Sequence, residues 1–201
     1  MNINFEDYGV VCLAGGAGQR MGGINKFNIS YQGSTYGEII KEQLRAVSQN
    51  RFVSSANYKY EYRDDFEEIR DCVFSIDGGF LGPVGGIYSS LLKLNQKGLK
   101  GGFFVSCDMP LFQKDIFYSL SEYVNKNDIV LVRTKDGHVH YTCGYYSVSI
   151  LPVINSLIER QVYRIKFLID ECNSIIIDSN EHDINDEWFS NINHVSDTIT
   201  L

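Results

Sequence analysis

A glycine-rich stretch with two cations is the part of the sequence best suited to chemistry. Residues 13–26 read LAGGAGQRMGGINK, with five glycines, Arg20 and Lys26 after an apolar run. Glycine lets main-chain N–H groups approach phosphate oxygens closely, because no Cβ stands in the way. Arg20 can bind a phosphate with two hydrogen bonds, and Lys26 can bind it as a point charge. The stretch matches neither GxxxxGK[ST] nor a complete GxGxxG, but it predicts a triphosphate site. The alternative is a glycine-rich surface turn whose charges are solvated.

A carboxylate follows another apolar run. Residues 103–110 read FFVSCDMP, so a hydrophobic strand leads into Asp108. Mg²⁺ prefers oxygen ligands and commonly takes one or two carboxylates together with phosphate oxygens and water. Asp108 is therefore predicted to bind Mg²⁺ beside the triphosphate. The alternative is an aspartate that caps a helix or a turn.

The elements that position these residues alternate along the chain. Continuous apolar runs that stop at glycine or aspartate are typical of buried parallel strands. Strands alternating with amphipathic helices predict a three-layer α/β/α, Rossmann-like fold with a mainly parallel sheet. Ligands bind such sheets at the carboxyl ends of the strands, where the glycine-rich stretch and Asp108 both fall. Predicted strands are 9–14, 51–56, 72–76, 102–106, 129–133, 141–147 and 174–177, and predicted helices are 36–48, 64–71, 83–94, 115–124, 151–160 and 164–171.

Composition narrows the class of protein. The 201 residues carry a net charge of −7, which argues against a nucleic-acid binder with a broad basic face. Five scattered cysteines without a CxxC pair fit reduced thiols better than disulfides or a zinc site. The first residues lack a secretory signal pattern, and no apolar run has the length of a membrane helix. We therefore expect one cytoplasmic domain, residues 1–201, that binds neither nucleic acid nor membrane.

The glycine-rich stretch also resembles a known family. LAGGxxxRMGGxxK is similar to the signature loop of the MobA-type nucleotidyltransferases, the molybdenum cofactor guanylyltransferases. CDMP at 107–110 and the segment DGGFLGPVGG at 77–86 resemble two further motifs of that family, and the resemblance extends from Gly9 to Asn193. It implies a nucleotidyltransferase fold and transfer of GMP from GTP to molybdenum-loaded molybdopterin, with release of pyrophosphate and with Mg²⁺ as cofactor.

The resemblance also implies roles for individual residues. The carboxylate of Asp77 would recognise guanine or support the metal site, and the glycines after it open a helix whose positive end suits phosphate. Two positions depart from the family pattern: Asn25 stands where an aspartate is usual, and Ser55 where an asparagine is frequent. The implied catalytic residues are Lys26, Arg20 and Asp108, the metal ligand is Asp108, and the nucleotide-binding residues are Leu13, Ala14, Gly15, Gly16, Lys26, Ser55, Asp77 and Asp108.

The second half of the chain would face the other substrate. The resemblance implies a nucleotide-binding half at about 1–110 and a molybdopterin-facing half at about 111–201. His140, Asn191 and Asn193 are the candidates on the molybdopterin side. Alternatives are a solvated histidine and a capping turn at the two asparagines. A monomer is favoured, and molybdoenzymes or other cofactor-assembly proteins are the expected protein partners.

Two other functions stay open on the sequence alone. A related nucleotidyltransferase could use CTP, or a sugar or polyol phosphate, because base-facing residues cannot be read from spacing. A nucleotide-binding protein that has lost catalysis and delivers the cofactor is the second alternative; Asn25 and Ser55 favour it slightly, whereas Lys26, Asp77 and Asp108 argue against it.

Overall fold

The strand that leads to the glycine-rich stretch is buried along its whole length. The computed structural model describes residues 3–15, 26–56 and 64–191. Strand β1 (Gly9–Leu13) pairs in parallel with β4 (Arg51–Ser54) on one side and with β6 (Gly101–Ser106) on the other. A central strand covered on both faces has no position that meets water, which explains why its sequence, GVVCL, is continuously apolar.

One mainly parallel sheet organises the fold. The remaining strands are β2 (Ser30–Tyr31), β3 (Ser34–Thr35), β5 (Glu67–Ile69), β7 (Ile129–Arg133), β8 (Val139–Ser147) and β9 (Ser174–Asp178). Within the described residues, seven strands form the sheet in the order β5-β4-β1-β6-β8-β7-β9, and β2 and β3 form a separate hairpin. β8 runs antiparallel to both of its neighbours, and the other pairs in the large sheet are parallel. The predicted mainly parallel sheet is confirmed.

Helices cover both faces of this sheet. Residues of β1 alternate between the two layers: Val10 and Cys12 pack in one hydrophobic cluster, and Val11 and Leu13 in the other. The first cluster includes residues of α1 (Tyr36–Arg45) and α3 (Asp115–Ser121). The second includes residues of α2 (Pro83–Gln96), α4 (Leu151–Glu159) and α5 (Ile165–Glu171). The three-layer α/β/α arrangement is thus confirmed.

Two predicted elements are wrong. The predicted helix at 64–71 contains strand β5, and the predicted strand at 72–76 is a loop with one isolated bridge, between Phe74 and Phe80. β5 is an edge strand, and its Glu67 pairs with Lys93 of α2 at 2.6 Å and with Lys97, the residue that caps the end of α2, at 2.7 Å. Charged edge strands are common because they discourage aggregation, but their composition resembles that of a solvated helix.

Two further predictions concern composition. All five cysteines are free thiols, as predicted. Among the described residues, no helix is both long enough and apolar enough to cross a membrane.

Candidate functional site

A lysine and an aspartate that are 82 residues apart in sequence meet at the carboxyl end of the sheet. Lys26 begins a short 3₁₀ turn, Lys26–Asn28, and its Nζ lies 3.0 Å from Oδ2 of Asp108. Both side chains are only partly exposed, at 27% and 15%. The structure therefore brings together the predicted phosphate-binding lysine and the predicted metal ligand. The other predicted residues of this stretch, Gly16 and Arg20, and the departure at Asn25 lie outside the described residues.

The Asp108 carboxylate is held by neighbours from three parts of the chain. Ser106, the last residue of β6, donates its hydroxyl to Oδ1 at 2.6 Å. With the Asn191 amide turned so that its nitrogen faces the carboxylate, Asn191 donates to Oδ1 at 2.9 Å. The amide N–H of Cys107 donates to the carbonyl of Leu13 at 3.0 Å, which ties this turn to the end of β1. Together with Lys26, these contacts hold the carboxylate between the end of β6 and residue 191.

This carboxylate suits a hard cation. Carboxylate and hydroxyl oxygens are the ligand atoms that Mg²⁺ prefers, and Mg²⁺ usually takes one or two carboxylates and completes its shell with phosphate and water oxygens. Within residues 3–15, 26–56 and 64–191, no group of three or more His, Cys, Asp or Glu side chains could hold a metal ion. A single carboxylate such as that of Asp108 fits a Mg²⁺ shell that phosphate and water oxygens complete.

The end of β1 comes unusually close to the end of β4. Leu13 and Ala14 are buried, whereas Gly15 is exposed. A Cβ on Gly15 would lie 2.7 Å from the Cβ of Ala56, so the main chain at Gly15 can pass only without a side chain. Ser55, the predicted nucleotide contact, is buried and donates its hydroxyl to Oε1 of Glu68 at 2.6 Å. The Ser55 side chain thus secures β4 to β5 in this structure, and its contact with a nucleotide stays a prediction.

A second carboxylate at this edge was missed by the sequence analysis. Asp71 follows β5 and is buried, and its Oδ1 has no hydrogen-bond partner within the described residues. Burial raises its pKa from 3.8 to about 6, because an ionised carboxylate loses hydration there. The available signal was an aspartate separated from the end of an edge strand by Arg70 alone. Because the stretch from 64 to 71 was predicted as a helix, that position was not recognised.

Two glycines let the Asp71 carboxylate lie against the start of α2. A Cβ on Gly85 would stand 3.2 Å from Oδ2 of Asp71. A Cβ on Gly86 would stand 3.0 Å from Oγ of Ser54 and 3.9 Å from Oδ1 of Asp71. The first turn of α2, the end of β4 and the carboxylate therefore form one polar corner. An acceptor that is buried and unpaired in this way is suited to a ligand that brings its own hydrogen-bond donors.

The other predicted carboxylate, Asp77, occupies a different place. It is exposed at the tip of a turn in which the N–H of Ser75 donates to the carbonyl of Gly79 at 2.8 Å. Gly78, next to Asp77, has a φ of +76°, which this tight turn requires. A role for Asp77 in nucleotide binding stays a prediction.

The histidine predicted to face molybdopterin lies in β8. Nε2 of His140 is 3.1 Å from Oγ1 of Thr134, and its ring stacks on Phe189 with centroids 4.2 Å apart. Burial is the largest cause that lowers the His140 pKa to about 4, so the imidazole is neutral near pH 7. The ring is thus a neutral polar group in an aromatic setting. Of the two predicted asparagines, Asn191 contacts Asp108, and Asn193 lies outside the described residues.

The fold and the polar edge define a class of protein. Residues 10–175 match the family described as the MobA-like NTP transferase domain. The match covers most of the chain, and the protein belongs to this family.

Individual relatives agree with that family. The chain is 26% identical over 183 residues to the molybdenum cofactor guanylyltransferase of Vibrio vulnificus (strain YJ016), which covers 91% of this chain and 89% of the relative. It is 27% identical over 202 residues to the enzyme of the same name from Pasteurella multocida (strain Pm70), with both chains covered completely. Among solved structures, molybdopterin-guanine dinucleotide biosynthesis protein A from Archaeoglobus fulgidus superposes with a TM-score of 0.75 at 19% identity, covering 94% of each chain.

Proposed function

We propose that this protein transfers GMP from GTP to molybdopterin and releases pyrophosphate. The observation that carries the proposal is the contact between Lys26 and Asp108 at 3.0 Å, at the sheet edge where ligands of such folds bind. An ammonium and a carboxylate placed together can bind a triphosphate and its metal ion. The names of the relatives from V. vulnificus and P. multocida support GTP and molybdopterin as the substrates.

The reaction needs positioning more than acid–base chemistry. An oxygen of the molybdopterin phosphate forms a bond to the α-phosphorus of GTP, while the bond from that phosphorus to the α,β-bridging oxygen breaks and its electron pair leaves with pyrophosphate. The attacking phosphate is already ionised at pH 7, so no general base is required. A His140 with a pKa of about 4 would in any case be a weak proton acceptor there. Lys26 would hold the phosphates in line and offset the charge that develops, and we assign the same task to Arg20.

Asp108 is the residue we propose as the Mg²⁺ ligand. Its carboxylate is oriented by Ser106 and Asn191 and lies at the carboxyl end of β6. When bound, Mg²⁺ would neutralise phosphate charge as a Lewis acid. Lys26, already beside the same carboxylate, would add a second positive charge on the nucleotide side.

Asp71 is the residue we propose for recognition of guanine. The Watson–Crick edge of guanine presents two adjacent donors, the N1–H and the 2-amino group, and a carboxylate can accept both. Adenine and cytosine each present a ring nitrogen acceptor beside their amino group, which an ionised carboxylate repels. The buried, unpaired Oδ1 of Asp71 therefore supports GTP over ATP and CTP.

The second half of the chain would approach the same site with the acceptor. The hydrogen bond from Asn191 to Asp108 brings the segment beyond β9 to the proposed metal ligand. We propose that molybdopterin binds on this side, with His140, Asn191 and Asn193 among its contacts. On this proposal, residues of about 1–110 bind the nucleotide and residues of about 111–201 bind the pterin.

A labelling experiment tests the proposal. Purified protein is incubated with GTP labelled at the α-phosphate, Mg²⁺ and molybdopterin, with ATP and CTP as unlabelled competitors. We expect label in a pterin dinucleotide, release of unlabelled pyrophosphate, and weak competition by ATP and CTP. Equal competition by CTP would favour the related nucleotidyltransferase. GTP binding without transfer to competent molybdopterin would favour the non-catalytic carrier.

A further inference from the structure

A fully buried lysine lies outside the site, on the helix behind it. Lys41 of α1 is 1% exposed. Its ammonium lies 2.5 Å from Oδ2 of Asp64 and also pairs with Glu38, one turn earlier on the same helix. Burying an ammonium is unfavourable unless it is paired. A lysine held in this way is a fixed point in the structure rather than a flexible surface charge.

The same ammonium packs over an aromatic ring that adjoins the site. Nζ of Lys41 lies 5.6 Å from the centroid of Phe27, a cation–π contact, and Phe27 is 1% exposed. One turn earlier on α1, a Cβ on Gly37 would lie 2.2–2.4 Å from three atoms of the Phe27 ring. Gly37 and Lys41 therefore form the seat of this ring: Gly37 leaves the space, and the Lys41 ammonium covers the face.

Phe27 is the chain neighbour of Lys26. Both belong to the 3₁₀ turn Lys26–Asn28, which returns to α1 where the N–H of Tyr36 donates to the carbonyl of Ile29 at 3.0 Å. Because Phe27 is buried and adjacent to Lys26, the packing of its ring restricts the main chain at Lys26. The Lys26 side chain then has a defined origin from which to reach Asp108.

We infer that Lys41 is a positioning residue that aligns Lys26 through the ring of Phe27. The expected effect of Lys41 on GTP binding rests on the proposed function, whereas its expected effect on the Lys26–Asp108 contact does not. If Lys41 acted only by stabilising α1, its loss would affect Lys26 no more than the loss of Arg45, one turn further along α1. The Arg45 guanidinium lies 5.5 Å from the ring of Phe66, which the Lys41 ammonium also approaches, at 5.8 Å. Arg45 pairs with Asp65, and none of its described contacts involves Phe27.

The first test measures the Lys26 amine in protein without nucleotide. Each variant is treated briefly with acetic anhydride, and acetylation at Lys26 is followed by mass spectrometry. We expect Lys41→Met to raise the rate about threefold or more, toward the rate in Asp108→Asn, because the amine leaves its carboxylate partner. The matched control, Arg45→Met, should leave the rate as in the wild type. Equal rates in Lys41→Met and Arg45→Met would overturn the inference.

A second variant displaces the Phe27 ring without removing the ammonium that pairs with the carboxylates of Glu38 and Asp64. Gly37→Ala favours the helix intrinsically, so its effect would come from displacing Phe27. It should raise Lys26 acetylation as Lys41→Met does, which keeps the test available if Lys41→Met does not fold. An unchanged rate in Gly37→Ala, with folding shown by circular dichroism, contradicts the proposed seat of Phe27.

The third measurement tests whether the packing of Phe27 affects nucleotide binding through Lys26. Binding of a non-hydrolysable GTP analogue with Mg²⁺ is measured by calorimetry in a double-mutant cycle of Lys41→Met and Lys26→Ala. We expect Lys41→Met to weaken binding about tenfold when Lys26 is present and less than about twofold when it is absent. Equal losses in both backgrounds would overturn the inference. Failure of the wild type to bind the analogue would overturn the proposed function, and the acetylation rates would then decide the inference alone.

Discussion

Two carboxylates at strand ends, Asp71 and Asp178, show how differently the two halves of the sheet treat charge. Asp178, the last residue of β9, accepts hydrogen bonds from Arg133 at 2.7 and 3.0 Å, and this partner lowers its pKa. Asp71, just beyond β5, is buried with one oxygen unpaired, and burial raises its pKa to about 6. At the end of β9, the Asp178 carboxylate is paired with the Arg133 guanidinium. Near the end of β5, Oδ1 of Asp71 remains available as a hydrogen-bond acceptor. An unresolved charge of this kind marks the side on which a ligand is expected.

The largest expected effect comes from the two residues that meet at the nucleotide edge. Lys26→Ala and Asp108→Ala should each lower kcat for pyrophosphate release by about 100-fold or more, because each removes charge stabilisation needed at the transition state. The measurement is steady-state release of pyrophosphate from GTP with molybdopterin. Arg133→Met is the control from the other half, and it should keep wild-type turnover because its partner Asp178 lies at the β9 end. Full activity in either alanine variant would contradict the assigned roles.

The comparison between Asp71 and Asp178 is tested more specifically by asking whether Asp71 recognises guanine. ITP lacks the 2-amino group of guanine, so the wild type should prefer GTP over ITP by about tenfold or more, as expected for one hydrogen bond to a charged group. Asp71→Asn should weaken that preference, since only one of the two acceptor oxygens remains and the amide nitrogen is itself a donor that opposes the donors of guanine. Competition binding with the two nucleotides measures the ratio. An unchanged ratio would show that guanine is recognised elsewhere.

The same residue predicts opposite effects on binding and stability. The folded-state pKa of Asp71, about 6, lies above its ordinary value of 3.8, so the native protein binds the extra proton between these pH values. Stability therefore falls as pH rises from about 4 to 6, and the ionised group destabilises the fold above pH 6. Asp71→Asn should gain about 1–3 kcal/mol at pH 7 in urea unfolding and nothing below pH 4. A loss of stability at pH 7 would show that the carboxylate has a partner.

For His140 we expect a smaller effect on stability, with the opposite pH dependence: stability is lost as the pH falls. Its folded-state pKa of about 4 lies below the ordinary 6.5, so the unfolded chain takes up the proton first as the pH falls. The stability that depends on neutral His140 is present above pH 6.5 and is lost as the pH falls toward 4. Because the ring is partly solvated, we expect a loss of about 1–2 kcal/mol. His140→Phe should remove this part of the acid dependence of urea unfolding; an unchanged profile would argue that the ring is hydrated.

The sequence predicted the buried strands well and the edge at β5 poorly, for physical reasons. β1, β6 and β7 are covered on both faces, so each must be continuously apolar and is easily recognised. β5 pairs with one neighbour alone in the described sheet and carries two glutamates, so its composition did not distinguish a strand from a helix. The antiparallel direction of β8 depends on which strand it joins, and no local pattern encodes that choice.

The site was predictable to the extent that its residues follow buried strands. Lys26 was assigned because a glycine-rich stretch precedes it, and Asp108 because an apolar strand precedes it. The structure brings the two side chains together. Asp71 was missed as a consequence of the misassigned edge strand, whereas Asp77 was assigned because the segment that it begins resembles a motif of the family. The contact of Asn191 with Asp108 joins positions far apart in the chain, which only the folded structure can reveal.

The hydrogen bond between Asn191 and Asp108 also has a consequence for the order in which the site is completed during translation. On the ribosome, the segment that carries Asp108 is synthesised long before residue 191, so the hydrogen bond between them can form only after residue 191 has been made. The site therefore reaches its complete set of contacts only when most of the C-terminal half has been translated.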